Sequence, residues 1–341
     1  MTTPTAAPGI DPGVYLQIYR GAIRGNTLQA RRDTLARYVR EIAGLRTQGL
    51  VRGVVFHGFC EDLRDAWPRL EALADTYGVP AGASWGLDSR DLSARAKGDL
   101  VGQVLAAPKC RFGLLDAEGQ WDSDLGPADD MDEQGALELG EALRRRAPSA
   151  RVGDQPWYAI EAHGDVRRTA RPIEHGGVFR GFPVDEFAVV CDLGRFRQAY
   201  IYNAQGAFYR PTFERMDKEW ANITPALAAE GLDRPLYVTL QAYRWKLHEQ
   251  VHALLDRCVR PNAPLILWCD PWPDAVTLAA VKIVQILLRE GHAGPGVDAR
   301  EAVRAWQRSY NATAPENAKI AVDGWAGEDT ACAMGIHLVT P

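Results

Sequence analysis

From Val14 to about Leu288, short apolar runs alternate with longer stretches whose apolar residues recur every three or four positions. Short runs bounded by turn residues read as strands, and the longer periodic stretches read as amphipathic helices. The pattern predicts strands over residues 14–20, 51–57, 79–85, 111–118, 151–154, 196–203, 236–241 and 264–270. Helices are predicted over 28–45, 61–77, 92–106, 132–146, 247–258 and 274–288. Residues 159–183 show no helical period and are rich in Gly, Arg and His, so a long loop is expected in place of the fifth helix. Eight strands, most of them followed by a helix, predict an α/β fold, a (β/α)8 TIM barrel. A doubly wound open sheet usually carries a Gly-rich phosphate turn after its first strand, and Gly21-Ala-Ile-Arg-Gly25 matches that turn poorly.

The texture changes after Leu288. Residues 289–296 hold three glycines and a proline and read as a linker. A helix with Val303, Trp306 and Tyr310 on one face follows, then the turn signal Asp323-Gly324, with Asp329 or Thr330 available to cap a final helical turn. The expected organisation is a flexible N-terminus (1–13), the barrel (14–288), the linker (289–296) and a small all-α C-terminal domain (297–341).

Composition narrows the function classes. With 44 acidic and 39 basic residues the 341-residue chain carries −5, and 46% of it is hydrophobic. A disordered tail and a nucleic-acid binder relying on overall positive charge are both excluded. No apolar run reaches the roughly 18 residues that cross a bilayer, so no membrane insertion is expected. The first nine residues lack the basic start and apolar middle of a secretory signal, which predicts synthesis in the cytoplasm. Six scattered cysteines without a Cys-x-x-Cys pair predict buried reduced thiols.

Chemistry in such barrels sits at the C-terminal ends of strands. The fourth predicted strand ends in Asp116-Ala-Glu118, and residues two apart on a strand face the same way. Close carboxylates do not both ionise cheaply, so one is kept protonated and suits delivery of a proton to a leaving oxygen. Asp154, Gln241 and Asp270 also end predicted strands, where they could bind sugar hydroxyls, and His57 ends the second. Trp85, Trp157, Tyr243 and Trp268 fall near strand ends, where aromatic rings could stack on pyranose faces.

The Asp116-x-Glu118 ending resembles the fourth-strand motif of family-18 glycoside hydrolases and of family-25 lysozymes. The resemblance implies Glu118 as general acid and Asp116 as the residue that orients a substrate acetamido group. Tyr200-Ile-Tyr202-Asn203 is similar to the family-18 element that helps hold the acetamide, Trp268 to its sugar-stacking tryptophan, and Ala83-Ser84-Trp85-Gly86 weakly to its third-strand Ser-x-Gly-Gly. Arg111 and Leu114 stand where the full family-18 pattern has aspartates, and Gln17 and Tyr19 where family 25 has a first-strand Asp. The resemblance is therefore to a superfamily geometry. Over the last 50 or so residues, Val303-Arg-Ala-Trp-Gln-Arg-Ser-Tyr310 and Asp323-Gly324-x-x-Gly327-x-x-Thr330-x-x-Ala333 resemble the helical peptidoglycan-binding domains of bacterial wall hydrolases.

A rival motif is His248-Glu249-Gln-Val-His252, which resembles the His-Glu-x-x-His of zinc metallopeptidases and would imply Zn²⁺ held by His248 and His252, with Glu249 activating water. Three readings follow. The first is a cofactor-free glycosidase acting on peptidoglycan or a related amino-sugar polymer, as in a phage endolysin or an injected wall hydrolase, delivered by lysis, a holin or an injection machine. The second is a zinc peptidase, and the third a non-catalytic wall-binding or structural module on a degenerate barrel.

Overall fold

The computed structural model describes residues 13–18, 29–87, 92–116, 133–154, 186–192, 236–241, 246–255, 264–268, 274–294 and 296–338. The described strands are β1 (Gly13–Ile18), β2 (Gly53–Phe59), β3 (Ala81–Gly86), β4 (Cys110–Asp116), β5 (Val152–Asp154), β6 (Glu186–Asp192), β7 (Leu236–Gln241) and β8 (Pro264–Trp268). Each pairs in parallel with the next, and β1 also pairs with β8, which closes the sheet into the expected barrel. Strands covered on both faces need near-continuous apolar runs, and Val14–Ile18, Val54–Phe56 and Leu265–Leu267 supply them.

One expectation is corrected. The sixth strand is Glu186–Asp192, ten residues before the run predicted at 196–203. Phe187-Ala-Val-Val-Cys191 is unbroken, whereas Arg197 and Gln198 interrupt the later run. Residues 159–183 and 196–203 lie outside the described residues.

Two apolar layers follow from the strand period of two. Tyr15, Val55, Phe112, Leu114 and Ile266 fill the barrel interior, with Tyr15 and Phe112 meeting edge to face at 5.2 Å. Alternate residues, among them Leu16, Phe56, Ala83, Trp85 and Leu267, face the surrounding helices. Those helices are α1 (Gln29–Thr47), α2 (Cys60–Thr76), α3 (Ala94–Leu105), α4 (Glu133–Arg146), α5 (Leu247–Ala253) and α6 (Ala275–Arg289). On α1, Leu35, Tyr38, Val39, Ile42 and Leu45 recur at helical spacing and are buried. Ser93 caps α3 by accepting from Ala96 N–H at 3.3 Å, and Asp274 caps α6 by accepting from Thr277 N–H at 2.7 Å.

The indole of Trp85 needs the absence of a side chain at Gly113. A Cβ there would stand 2.5 Å from Trp85 Cζ3 and 2.9 Å from Leu105 Cδ2. Gly113→Ala is therefore expected to cost about 1–3 kcal/mol through overpacking. Gly44→Ala, on α1 with nothing within 4 Å of its Cβ, is expected to stabilise by up to about 1 kcal/mol. Thermal melts of the two variants should move in opposite directions.

The chain leaves α6 through a Schellman stop. Gly291 adopts φ 75°, its N–H donates to Leu288 O at 3.2 Å, and His292 N–H donates to Leu287 O at 2.9 Å. Then come α7 (Ala299–Thr313) and α8 (Glu328–Ala333). Trp306 Nε1 donates to Glu290 at 3.0 Å, which ties α7 to the end of α6. Neither Asp329 nor Thr330 caps α8, contrary to expectation. Gly327 is the N-cap, and Thr330 Oγ1 instead donates to Trp325 O at 3.2 Å. Val303, Trp306, Ala326, Ala331 and Ile336 belong to the same apolar cluster as Val251 and Leu254 of the α5 segment and Ile283 of α6. Among the described residues, the C-terminal helices and the barrel share one core.

Candidate functional site

The phase of the barrel interior carries upward along each strand. Two residues beyond Tyr15, Val55, Gly82 and Leu114 stand Gln17, His57, Ser84 and Asp116, and all four are buried. They form a polar layer between the apolar floor and the C-terminal mouth, contributed by four consecutive strands. His57 Nδ1 and Ser84 Oγ are 3.0 Å apart, a hydrogen bond between register partners on β2 and β3. Asp116 is the last residue of β4 and the register partner of Gly86. Its carbonyl accepts from Leu87 N–H at 3.0 Å, and the Leu87 carbonyl accepts from the buried Lys97 Nζ at 2.6 Å. The mouth end of β4 is thus tied through β3 to α3.

Asp116 is the buried last residue of β4, two residues beyond the interior Leu114. Glu118, Trp157, Tyr202, Asn203, Tyr243 and Asp270 lie outside the described residues. Asp154, Gln241 and Trp268 end β5, β7 and β8, Asp154 as register partner of Leu115 and Gln241 as that of Trp268. Asp192, which the sequence reading missed by placing β6 too late, is the register partner of Gln241 at the end of β6. The run Phe187–Cys191 was the signal for it.

Trp85 is corrected. It was expected to stack on substrate, but it is fully buried among the helix-side residues, one position out of phase with Ser84. Ser84 is the β3 residue that faces the interior.

The zinc reading is corrected as well. Glu249 turns back to accept from Lys246 N–H at 2.8 Å, capping its own helix. His252 Nε2 lies 3.1 Å from the Gly324 carbonyl, which can only accept, so that nitrogen carries the proton and has no lone pair for a metal. The His252 ring stacks on Trp325 at 4.9 Å, and the His248 ring meets the same indole edge-on at 4.9 Å. Arg300 lies over that indole at 4.3 Å. The motif is the docking face for the C-terminal helices. Among the described residues, no three His, Cys, Asp or Glu side chains converge as a metal site. EDTA is expected to leave the melting temperature unchanged, whereas Trp325→Ala is expected to lower it by removing contacts worth about 0.5–1.5 kcal/mol per aromatic pair.

Two of the described thiols are poor nucleophiles. Burial pushes the thiols of Cys60 and Cys110 up to about 12, which leaves them protonated at neutral pH. Cys332 departs from the expectation of buried thiols, being exposed on α8.

No protein-family model matches the chain, and no curated protein matches it in sequence. Among solved structures, an endocellulase from Pyrococcus horikoshii in complex with cellotetraose is similar at a TM-score of 0.50 and 9% identity, over 81% of this chain and 93% of that one. A protein assigned as a deoxyribose-phosphate aldolase from Toxoplasma gondii is similar at 0.47 and 12%, over 80% and 93%. A family-5 endo-β-1,4-glucanase from Bacillus licheniformis is similar at 0.47 and 12%, over 80% and 60%. At these identities the likeness concerns the fold alone. The first supports the TIM barrel, and nothing is drawn from the other two.

Proposed function

We propose that the protein is a glycosidase of N-acetylated amino-sugar polymers, with bacterial peptidoglycan as its substrate. Glu118 protonates the leaving oxygen, and Asp116 orients the acetamido group beside it. The observation that carries this reading is the place of Asp116, buried at the mouth end of β4 in phase with the interior. Glu118 follows two residues later. A second observation supports acid catalysis over Schiff-base chemistry: among the described strand residues there is no lysine, and Lys97, on α3, is held by the Leu87 carbonyl. The C-terminal resemblance to wall-binding helices names the same polymer independently.

Digestion of purified cell walls tests the reading. New reducing ends without new free amino groups are the expected products. Free amino groups alone would mark a peptidase, and sedimentation with walls without any product would mark a binding module.

A further inference from the structure

The polar layer contains a group without a hydrogen-bond partner among the described residues. Gln17 is 1% exposed, yet its Oε1 has no hydrogen-bond partner among the described residues. An unsatisfied buried polar group destabilises the fold that contains it. Folds keep such a group where something outside the chain completes it.

Its neighbours are arranged for the same purpose. The His57–Ser84 bond fixes the imidazole, and Nε2 lies on the Gly86 side, where a Cβ added to Gly86 would be 3.8 Å away. Gly86 is the register partner of Asp116, so the ring points along β3 toward the mouth. Neither lysine nor arginine stands among the described inward positions of β1 to β4, and Asp116 closes the layer. That chemistry disfavours a phosphate or a carboxylate. It suits a neutral ligand that brings hydrogen-bond donors.

We infer that Gln17, with His57 and Ser84, forms the floor of a ligand subsite that receives a hydrogen-bond donor, a sugar hydroxyl or an acetamido N–H, through the Gln17 side-chain oxygen. The inference deepens the glycosidase reading and rests on it for the class of ligand. None of the three residues takes the proton-transfer role given to Glu118.

The test uses the full chain with two probes, tetra-N-acetylchitotetraose and cellotetraose, which differ at C2 in carrying an acetamido or a hydroxyl group. Gln17→Met keeps length and volume and removes both polar atoms. In the unliganded protein its melting temperature is expected to equal or exceed that of wild type, because an unpaired polar group is lost. Calorimetric affinity for the bound probe is expected to fall by about three- to tenfold. A loss confined to chitotetraose identifies the acetamido N–H as the donor, and an equal loss with both probes identifies a hydroxyl. The inference is overturned if Gln17→Met melts lower and binds as wild type does, if wild type binds neither probe, or if only an ordered water fills the position. The two readings fail separately. Gln17-dependent binding of chitotetraose by a wild type that releases no sugar leaves the floor standing and removes the glycosidase. Wall cleavage with an unchanged KM in Gln17→Met does the reverse.

Discussion

Glu118→Gln is expected to release no measurable reducing sugar from cell walls, while its melting temperature stays within a degree or so of wild type. A positioned general acid contributes about 10²–10⁴-fold. Gln keeps the size and hydrogen-bonding reach of Glu but carries no transferable proton at any working pH. Asp116→Asn is expected to fall by a smaller factor, because an amide can still bond an acetamido group while it no longer stabilises developing positive charge. The melting temperature makes the result interpretable. Asp116 is buried, and its backbone is tied to Leu87, so a misfolded variant would betray itself in the melt. Glu118→Gln with wild-type turnover would remove the glycosidase reading, whatever the fold.

Gln307→Leu detaches the C-terminal helices from the barrel. The fully buried Gln307 amide is the hub of that part. Its Nε2 is 3.1 Å from each of Asp323 Oδ1, Trp325 O and Thr330 Oγ1, and its Oε1 accepts from Gly324 N–H at 2.9 Å. Leucine fills the volume and satisfies none of these groups. Asp323 Oδ1 keeps the Trp325 N–H and Trp325 O keeps the Thr330 hydroxyl, so the buried Gly324 N–H is the group left unpaired, at about 1–3 kcal/mol. The damage reaches further. Gly324, held at φ 79° in the Asp-Gly turn, supplies the carbonyl that His252 uses, and Trp325 supplies its stacking surface. Partial burial of Asp323 opposes its charge. Hydrogen bonds from Trp325 N–H and Gln307, with the Arg300 charge, outweigh that and hold the carboxyl below its usual value. Limited proteolysis should show new cleavage between α6 and α7, and the melt should resolve two steps where wild type shows one. A single wild-type-like transition would contradict the hub assignment.

The barrel was legible because most of its strands are unbroken apolar runs separated by amphipathic helices. The interior phase was legible too, since Tyr15, Val55 and Leu114 set it and Asp116 follows two residues after the last. β6 was misplaced because aromatic residues at 200–202 have high strand propensity, and propensity competed with the continuity of Phe187–Cys191. Trp85 was misassigned by proximity to a strand end, although the alternation Gly82, Ser84, Gly86 against Ala83, Trp85 already assigns it to the helix side. His248 and His252 could not be understood locally. Their partner, Trp325, is more than 70 residues away in sequence, and a five-residue motif carries no information about a surface supplied from so far off.

The shared interior has a bearing on interchangeability. Exchange of the C-terminal helices for another part would not leave the barrel unchanged. In this chain such a trade would strip the cover from Val251, Leu254 and Ile283 and leave an insoluble scar on the remaining cylinder. A graft in the other direction would need a recipient helix offering two imidazoles one turn apart for the incoming indole. The two halves are therefore expected to have been inherited together, not shuffled.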